Sequence, residues 1–238
     1  MFHPVLSSNQ DGIHPCSTAA NCAERYLAES RNRRLTEKIS RNFHFFAYRG
    51  DPEMRKLLEF NMVSLDGYFE GPDRDISWHN VDAEFNEYAV AMLDSVDLLL
   101  FGRVTYELMV KFWPTSEVIK SDPLVAARMN SLAKIVFSRT LGKAEWHNTR
   151  LVKEKIEEEI KKLKQGPGKD MVILGSGSIV SELTPPGLID EHRIMVNPVI
   201  LGKGNPLFKG INNKLELELT HSRTFKSGNV LLYYRPKN

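Results

Sequence analysis

Gly102-Arg103-Val104-Thr105 and Gly175-Ser176-Gly177-Ser178 are the stretches of this chain whose residue types and spacing suggest chemistry. Each follows a short apolar run, Leu98 to Phe101 in one case and Met171 to Leu174 in the other, and each precedes a segment with helical character. A buried strand that feeds a glycine turn and then a helix start is a general anion site. Unpaired N–H groups and the positive end of the helix dipole point outward together there. Thr105 can bond a free amide in the first turn, Gly102 lets the backbone approach a ligand closely, and Arg103 adds a permanent charge. The plain alternative for Gly102 to Thr105 is a glycine turn beside a solvated arginine. Gly175 to Ser178 is not a Rossmann fingerprint, because Val180 stands where the third glycine would fall. Its small residues and free amides still suit a pyrophosphate.

These stretches need elements to position them. Leu57 to Ser64 reads as a first buried strand, closed by the turn signal Asp66-Gly67. A helix from about Ala83 to Ser95 follows, with Asp82 as its cap and Phe85, Ala89, Met92 and Leu93 on one face. The Leu98 strand and the helix opened at Arg103 come next, the latter ending before Pro114. Asp122 to Ala133 reads as a short helix with Pro123 in its first turn, and Lys134 to Ser138 as another buried strand. Ser138-Arg139-Thr140 closes that strand with groups able to hold a phosphate or ribose. Glu145 to Val152 is a weaker strand, and Glu154 to Lys164 a charged amphipathic helix. After Met171 to Leu174 and a helix at Ile179 to Leu183, Leu188 to Leu201 reads as strand into loop. Leu215 to Thr220 and Val230 to Tyr234 form a closing antiparallel pair. Strands alternating with helices predict a three-layer α/β domain with a mainly parallel sheet and antiparallel C-terminal strands.

The 238 residues carry 32 basic and 30 acidic side chains, a formal charge of +2, with no long basic run, which argues against a nucleic-acid or membrane-surface partner. No window reaches the roughly 18 apolar residues of a membrane span, and no signal-peptide layout opens the chain; the expectation is a soluble cytoplasmic protein. Both cysteines, Cys16 and Cys22, lie in the first fifty residues, so thiol catalysis and a disulfide are excluded from the main domain. Cys16 and Cys22 with His14 make too sparse a set for a metal site, and no metal is expected. His79, His147, His192 and His221 are scattered and read as surface or packing residues.

Residues 1–53 lack a sustained period, apart from a turn or two near Ala23 to Ile39, and are expected to be poorly ordered. Met54 opens a basic-then-apolar start, and Arg49-Gly50-Asp51 can be encoded by a purine-rich stretch of ribosome-binding type. Met54 is therefore expected to be the natural start, with 1–53 a misassigned extension and 54–238 the domain.

SLDGYFEG, LLLFGRVTYE, KIVFSRT, MVILGSGSIV and LIDEHRIMVNPVILGKGNPLF, in this order, resemble the dihydrofolate reductase superfamily. The resemblance is to the branch holding the reductase domain of riboflavin biosynthesis, the RibD C-terminal-like family, and it spans Met54 to Asn238. It implies a dihydrofolate-reductase-like α/β/α fold, NADPH across the sheet, and hydride transfer to a small heteroaromatic or ribosylamino-pyrimidine substrate. It further implies that Arg103 and Thr105, after Gly102, hold the adenosine phosphate end, and that Ser138 and Arg139 flank the ribose and its 2′-phosphate. Two arginines there favour NADPH over NADH. Gly175, Ser176, Gly177, Ser178 and Ile179 would form the pyrophosphate loop, while Met62, Val63 and Asp66-Gly67 would border the nicotinamide. Asp66 would steer or protonate the substrate, or else be a turn residue. Asn197 and Pro198 match a signature of sheet and dimer geometry.

The resemblance has departures. Gly175 replaces a glutamate usual in riboflavin-type reductases, and the acid of folate reductases has no certain counterpart. Trp78 matches the tryptophan loop, with Asp82 and Glu84 as candidate acids or as cap and solvated face. A zinc deaminase set is missing from the domain. Alternatives are a dihydrofolate reductase proper and a non-catalytic NADPH-binding dimer. Leu217, Val230, Leu232 and Tyr234 suggest a homodimer through the sheet, or an internal core.

Overall fold

The computed structural model describes residues 54–237, and the expectations for residues 1–53 lie outside them. Strand β1 (Leu57–Ser64) is buried along its whole length. It is followed by the short β2 (Tyr68–Glu70) and a single 3₁₀ turn at Pro72–Arg74. Helix α1 (Ala83–Ser95) starts where Asp82 accepts a hydrogen bond from the Phe85 amide at 2.8 Å, as the cap residue predicts. Strand β3 (Val96–Gly102) runs directly into α2 (Arg103–Phe112). Next come α3 (Ser116–Ser121), α4 (Pro123–Ser131), β4 (Ala133–Phe137) and β5 (Thr149–Val152). Helix α5 (Ile156–Lys164) carries acids in its first turn and lysines in its last, the arrangement that complements its dipole. The chain closes with β6 (Asp170–Leu174), α6 (Gly177–Leu183), β7 (Glu191–Asn197), β8 (Asn205–Pro206), β9 (Leu217–Thr224) and β10 (Val230–Pro236).

The main sheet has the order β5-β4-β3-β6-β1-β7-β10-β9, and β2 pairs with β8 in a separate ribbon. From β5 to β7 all pairings are parallel, whereas β10 is antiparallel to both β7 and β9. Alternation along the strands divides the core in two. Leu58, Phe60 and Met62 of β1 face the side covered by α1, α2 and α4; Leu57 and Val63 face the side covered by α5 and α6. This is the expected three-layer α/β/α arrangement with a mainly parallel sheet.

Two buried polar devices interrupt these apolar faces. Glu59 and His192, on neighbouring strands, are fully buried and paired through Oε2 and Nδ1, while Asn61 donates to Glu59 at 2.8 Å. The Lys134 ammonium donates to the carbonyls of Asn130, Leu132 and His147 at 3.1, 2.7 and 3.2 Å and lies over the Trp146 ring. Burial pulls it down to about 8.

Candidate functional site

All the stretches singled out by sequence fall on one edge of the sheet, the carboxyl ends of its parallel strands. Strand β4 ends at Ser138-Arg139, β3 at Gly102-Arg103, β6 at Gly175-Ser176, β1 at Ser64 to Asp66, and β7 at Asn197-Pro198. Adjacent strands β3 and β6 send their helices to opposite faces, since Tyr106 of α2 packs in one half of the core and Ile179 of α6 in the other. Such a divergence opens a crevice at the strand ends, the usual ligand position in open α/β sheets.

The two glycine turns are locked to each other across this crevice. The Ser176 hydroxyl accepts the Gly102 amide at 2.7 Å. A Cβ on Gly102 would stand 3.2 Å from Ile179, and one on Gly175 would stand 3.1 Å from the Thr105 methyl. Gly175 and Ser176 are both left-handed, with φ of 61° and 63°. Thr105 therefore does not cap α2: the cap position is Gly102, without a side-chain bond, and the threonine methyl packs on Gly175 instead. Ile179 is buried against Gly102, so its side chain supports the turn from within. Gly177 is small because Phe69 of β2 lies on it; a Cβ there would come within 2.9 Å of the ring. Ser178 is exposed beside it.

Arg103 and Arg139 are both exposed on this edge. Arg103 holds both oxygens of Glu107 at 3.1 Å, one turn along α2. Arg139 has no ion-pair partner among the described residues. Ser138 turns the chain, its hydroxyl accepting the amides of Thr140 and Leu141 at 3.2 and 2.9 Å. Met62 and Val63 sit on opposite faces of β1, so a ring lying on one face of the sheet meets one of these side chains, not both.

Asp66 is tied down. Its carboxylate accepts the amides of Leu201 and Gly202 at 3.1 and 2.7 Å. The Ser64 hydroxyl, followed by these amides, holds its carboxyl below the usual range. Held in this way, Asp66 anchors the 199–204 loop to the turn that follows β1. Asp82 is the α1 cap, and Glu84 pairs with Arg223 at 3.0 Å while accepting the Lys226 amide at 2.9 Å.

A polar cluster that sequence reasoning missed lies beside them. Asn80 donates its amide to Asn197 Oδ1 at 2.9 Å and its side-chain nitrogen to the Ser227 carbonyl at 3.0 Å, and accepts from Asn229 Nδ2 at 2.8 Å. It fastens the loop after β2 to the end of β7 and to the β9–β10 turn. No local signal announces this cluster, because its members are ordinary loop polars far apart in the chain. Next to it, burial pulls the His79 imidazole down to about 4.

Among the described residues no group of three His, Cys, Asp or Glu could hold a metal ion, and no helix is long and apolar enough to cross a membrane.

Comparison with known proteins places this architecture. Residues 55–231 match the family model described as the RibD C-terminal domain. The uncharacterized protein YyaP of Bacillus subtilis is 32% identical over 184 residues, 76% of this chain and 95% of that protein. A solved structure from Shewanella sp. PV-4, a protein provisionally assigned to riboflavin biosynthesis, superposes with a TM-score of 0.61 at 25% identity. The match covers 77% of this chain and 99% of that one. Dihydrofolate reductase from Enterococcus faecalis, solved with NADP(H), shares the fold with a TM-score of 0.52 at 17% identity, over 77% of this chain and 97% of that one.

Proposed function

The chain belongs to the RibD C-terminal domain family, a riboflavin-pathway reductase family, and from this we propose that it is an NADPH-dependent reductase of a small pyrimidine-type heterocycle. The observation that carries the reading is the crevice between β3 and β6, whose two glycine turns are cross-locked by Ser176 and Thr105. A Cβ on Gly102 would press on Ile179 and one on Gly175 on Thr105, so only glycine lets the two turns pack this closely at the strand ends, where the exposed Ser178 and the start of α6 would receive a dinucleotide phosphate. When bound, NADPH supplies the hydride; the chain supplies position and exclusion of water. Arg139 and Arg103 offer the guanidinium groups that a 2′-phosphate pairs with. The Gly175-Ser176 turn and Ser178 line the place for the pyrophosphate. Either Met62 or Val63 borders the nicotinamide, and Asp66 steers by holding the 199–204 loop in place.

The engaged state of Asp82 and Glu84 disfavours a folate reductase in the strict sense, whose ring recognition needs an acid free to receive it. A homodimer is also proposed. Val230, Leu232 and Tyr234 of β10, with Ile194 and Val196 of β7, are half-buried on the sheet face beyond α6, where an isologous contact would bury them.

Titration of the purified protein with NADPH and NADH, followed by nicotinamide fluorescence, tests the reading. Tight NADPH binding is expected; failure of both dinucleotides to bind overturns it.

A further inference from the structure

Residues 139–147, between β4 and β5, belong to no helix or strand, and Arg139 stands exposed at their start. A loop of that kind fixes a charge in place only if side chains hold it. Two ties do so. At the near end the Ser138 hydroxyl accepts the Thr140 and Leu141 amides. At the far end the Tyr106 hydroxyl accepts the amides of Glu145 and Trp146, both at 2.9 Å. Between these ties Leu141 and Ala144 pack onto the half of the core that contains Tyr106. Trp146 is secured a second time by Asn130 Oδ1, which accepts its Nε1–H at 2.9 Å.

Tyr106 is 3% exposed, and its ring centre lies 6.3 Å from that of Trp146. A phenyl ring would fill the same space; what the hydroxyl adds is one oxygen on which two successive amides converge. Such convergence fixes both the position and the direction of the chain. The origin of that oxygen matters. Tyr106 lies on α2, three residues after Arg103, which opens the helix. The helix that presents one guanidinium at the carboxyl edge therefore also tethers the loop that presents the other. Strands β3 and β4 are parallel neighbours and bring both arginines to that edge, while Tyr106 sets how the loop lies on α2.

We propose that Tyr106 is a positioning residue for the choice of dinucleotide: its hydroxyl holds the 139–147 loop against α2 and so keeps Arg139 in place for a 2′-phosphate. Tyr106 touches no cofactor and acts through Arg139. This rests on the reductase reading and adds to it a group buried behind the crevice. Without the hydroxyl the loop keeps its sequence and charge but loses its frame, and Arg139 is presented in many positions. The loss falls on the 2′-phosphorylated dinucleotide alone, since NADH makes no demand on that arginine.

The test titrates NADPH and NADH, by nicotinamide fluorescence, into the full chain and into Tyr106→Phe, Arg139→Ala and the double variant. Thermal melting first establishes that each folds. Trp146→Phe, which drops the Asn130 bond and loosens the same loop, takes over if Tyr106→Phe does not fold. Tyr106→Phe is expected to raise the NADPH Kd roughly 3- to 10-fold and leave NADH unmoved. In the Arg139→Ala background the same change should cost nothing further, because the residue through which it acts is gone. Amide hydrogen exchange over residues 139–147 should quicken in Tyr106→Phe without any ligand present. Equal weakening of both dinucleotides, unchanged NADPH affinity, unchanged exchange, or full additivity of the two substitutions would each overturn the proposal and leave the reductase reading standing. Failure of the wild type to bind either dinucleotide would instead overturn the reductase reading, and the proposal with it.

Discussion

The Ser176 hydroxyl accepts the Gly102 amide at 2.7 Å, joining the start of α6 to the start of α2 across two neighbouring strands. One side chain therefore sets the distance between the two turns on which the proposed cofactor lies. Ser176→Ala leaves a buried amide unpaired, at a cost of about 1–2 kcal/mol in urea denaturation. NADPH affinity is expected to fall roughly 3- to 10-fold with it. Ser176→Gly removes the same bond while relieving the left-handed backbone, so it should be the more stable of the two and bind NADPH no better.

Gly177 and Phe69 form a second tight pair. Gly177→Ala drives a methyl to 2.9 Å from the ring, and a loss of about 1–3 kcal/mol is expected. Combining it with Phe69→Leu should recover part of that loss. A double-mutant cycle that comes out additive would show that the helix start moves away from β2 instead.

Arg139, exposed and without an ion-pair partner among the described residues, should discriminate between dinucleotides more sharply than Arg103, whose Nη1 is engaged by both carboxylate oxygens of Glu107. Arg139→Ala is expected to weaken NADPH by about tenfold and leave NADH unchanged. Glu107→Gln, which frees Arg103, should tighten NADPH a few-fold. Equal losses for both dinucleotides in Arg139→Ala would place this arginine away from the 2′-phosphate.

His79 makes stability depend on mild acid. Its folded value is about 4 against an ordinary 6.5, so between these values the unfolded chain binds more protons. Stability is then full above pH 6.5 and declines as pH falls toward 4. The decline is about 3 kcal/mol at most. Comparing urea midpoints at pH 7 and pH 5 for wild type and His79→Phe checks this: the variant should lose less on acidification.

Local signals were what the sequence made readable. Strand β1 and helix α1 lie where alternation, the Asp66-Gly67 turn and the Asp82 cap put them, because each of those cues acts within a few residues. The carboxyl-end stretches after β1, β3, β4 and β6 were found for the same reason, whereas Asn197-Pro198 after β7 stood out only through the family resemblance. Side-chain roles were less readable because they depend on pairings across the chain. Thr105 packs on Gly175, Gly177 yields to Phe69, and Asp66 clamps Leu201 and Gly202; each partner comes from another strand or loop. Strands β2 and β8 escaped for the same cause, being too short to carry a period and held only by each other. Helix α3 escaped because Pro114 suggested an end, where Thr115 in fact caps a new start.

Lys134 carries its charge on a stem anchored in β4 and delivers it to carbonyls from the end of α4 and from the residue before Asn148. It does there what a bound potassium or calcium ion does in other folds. The cation cannot dissociate, be chelated or be outcompeted, because it is part of the polymer. The corner joining α4, β4 and the approach to β5 is consequently fixed at any ionic composition, and only the proton on Nζ can undo it.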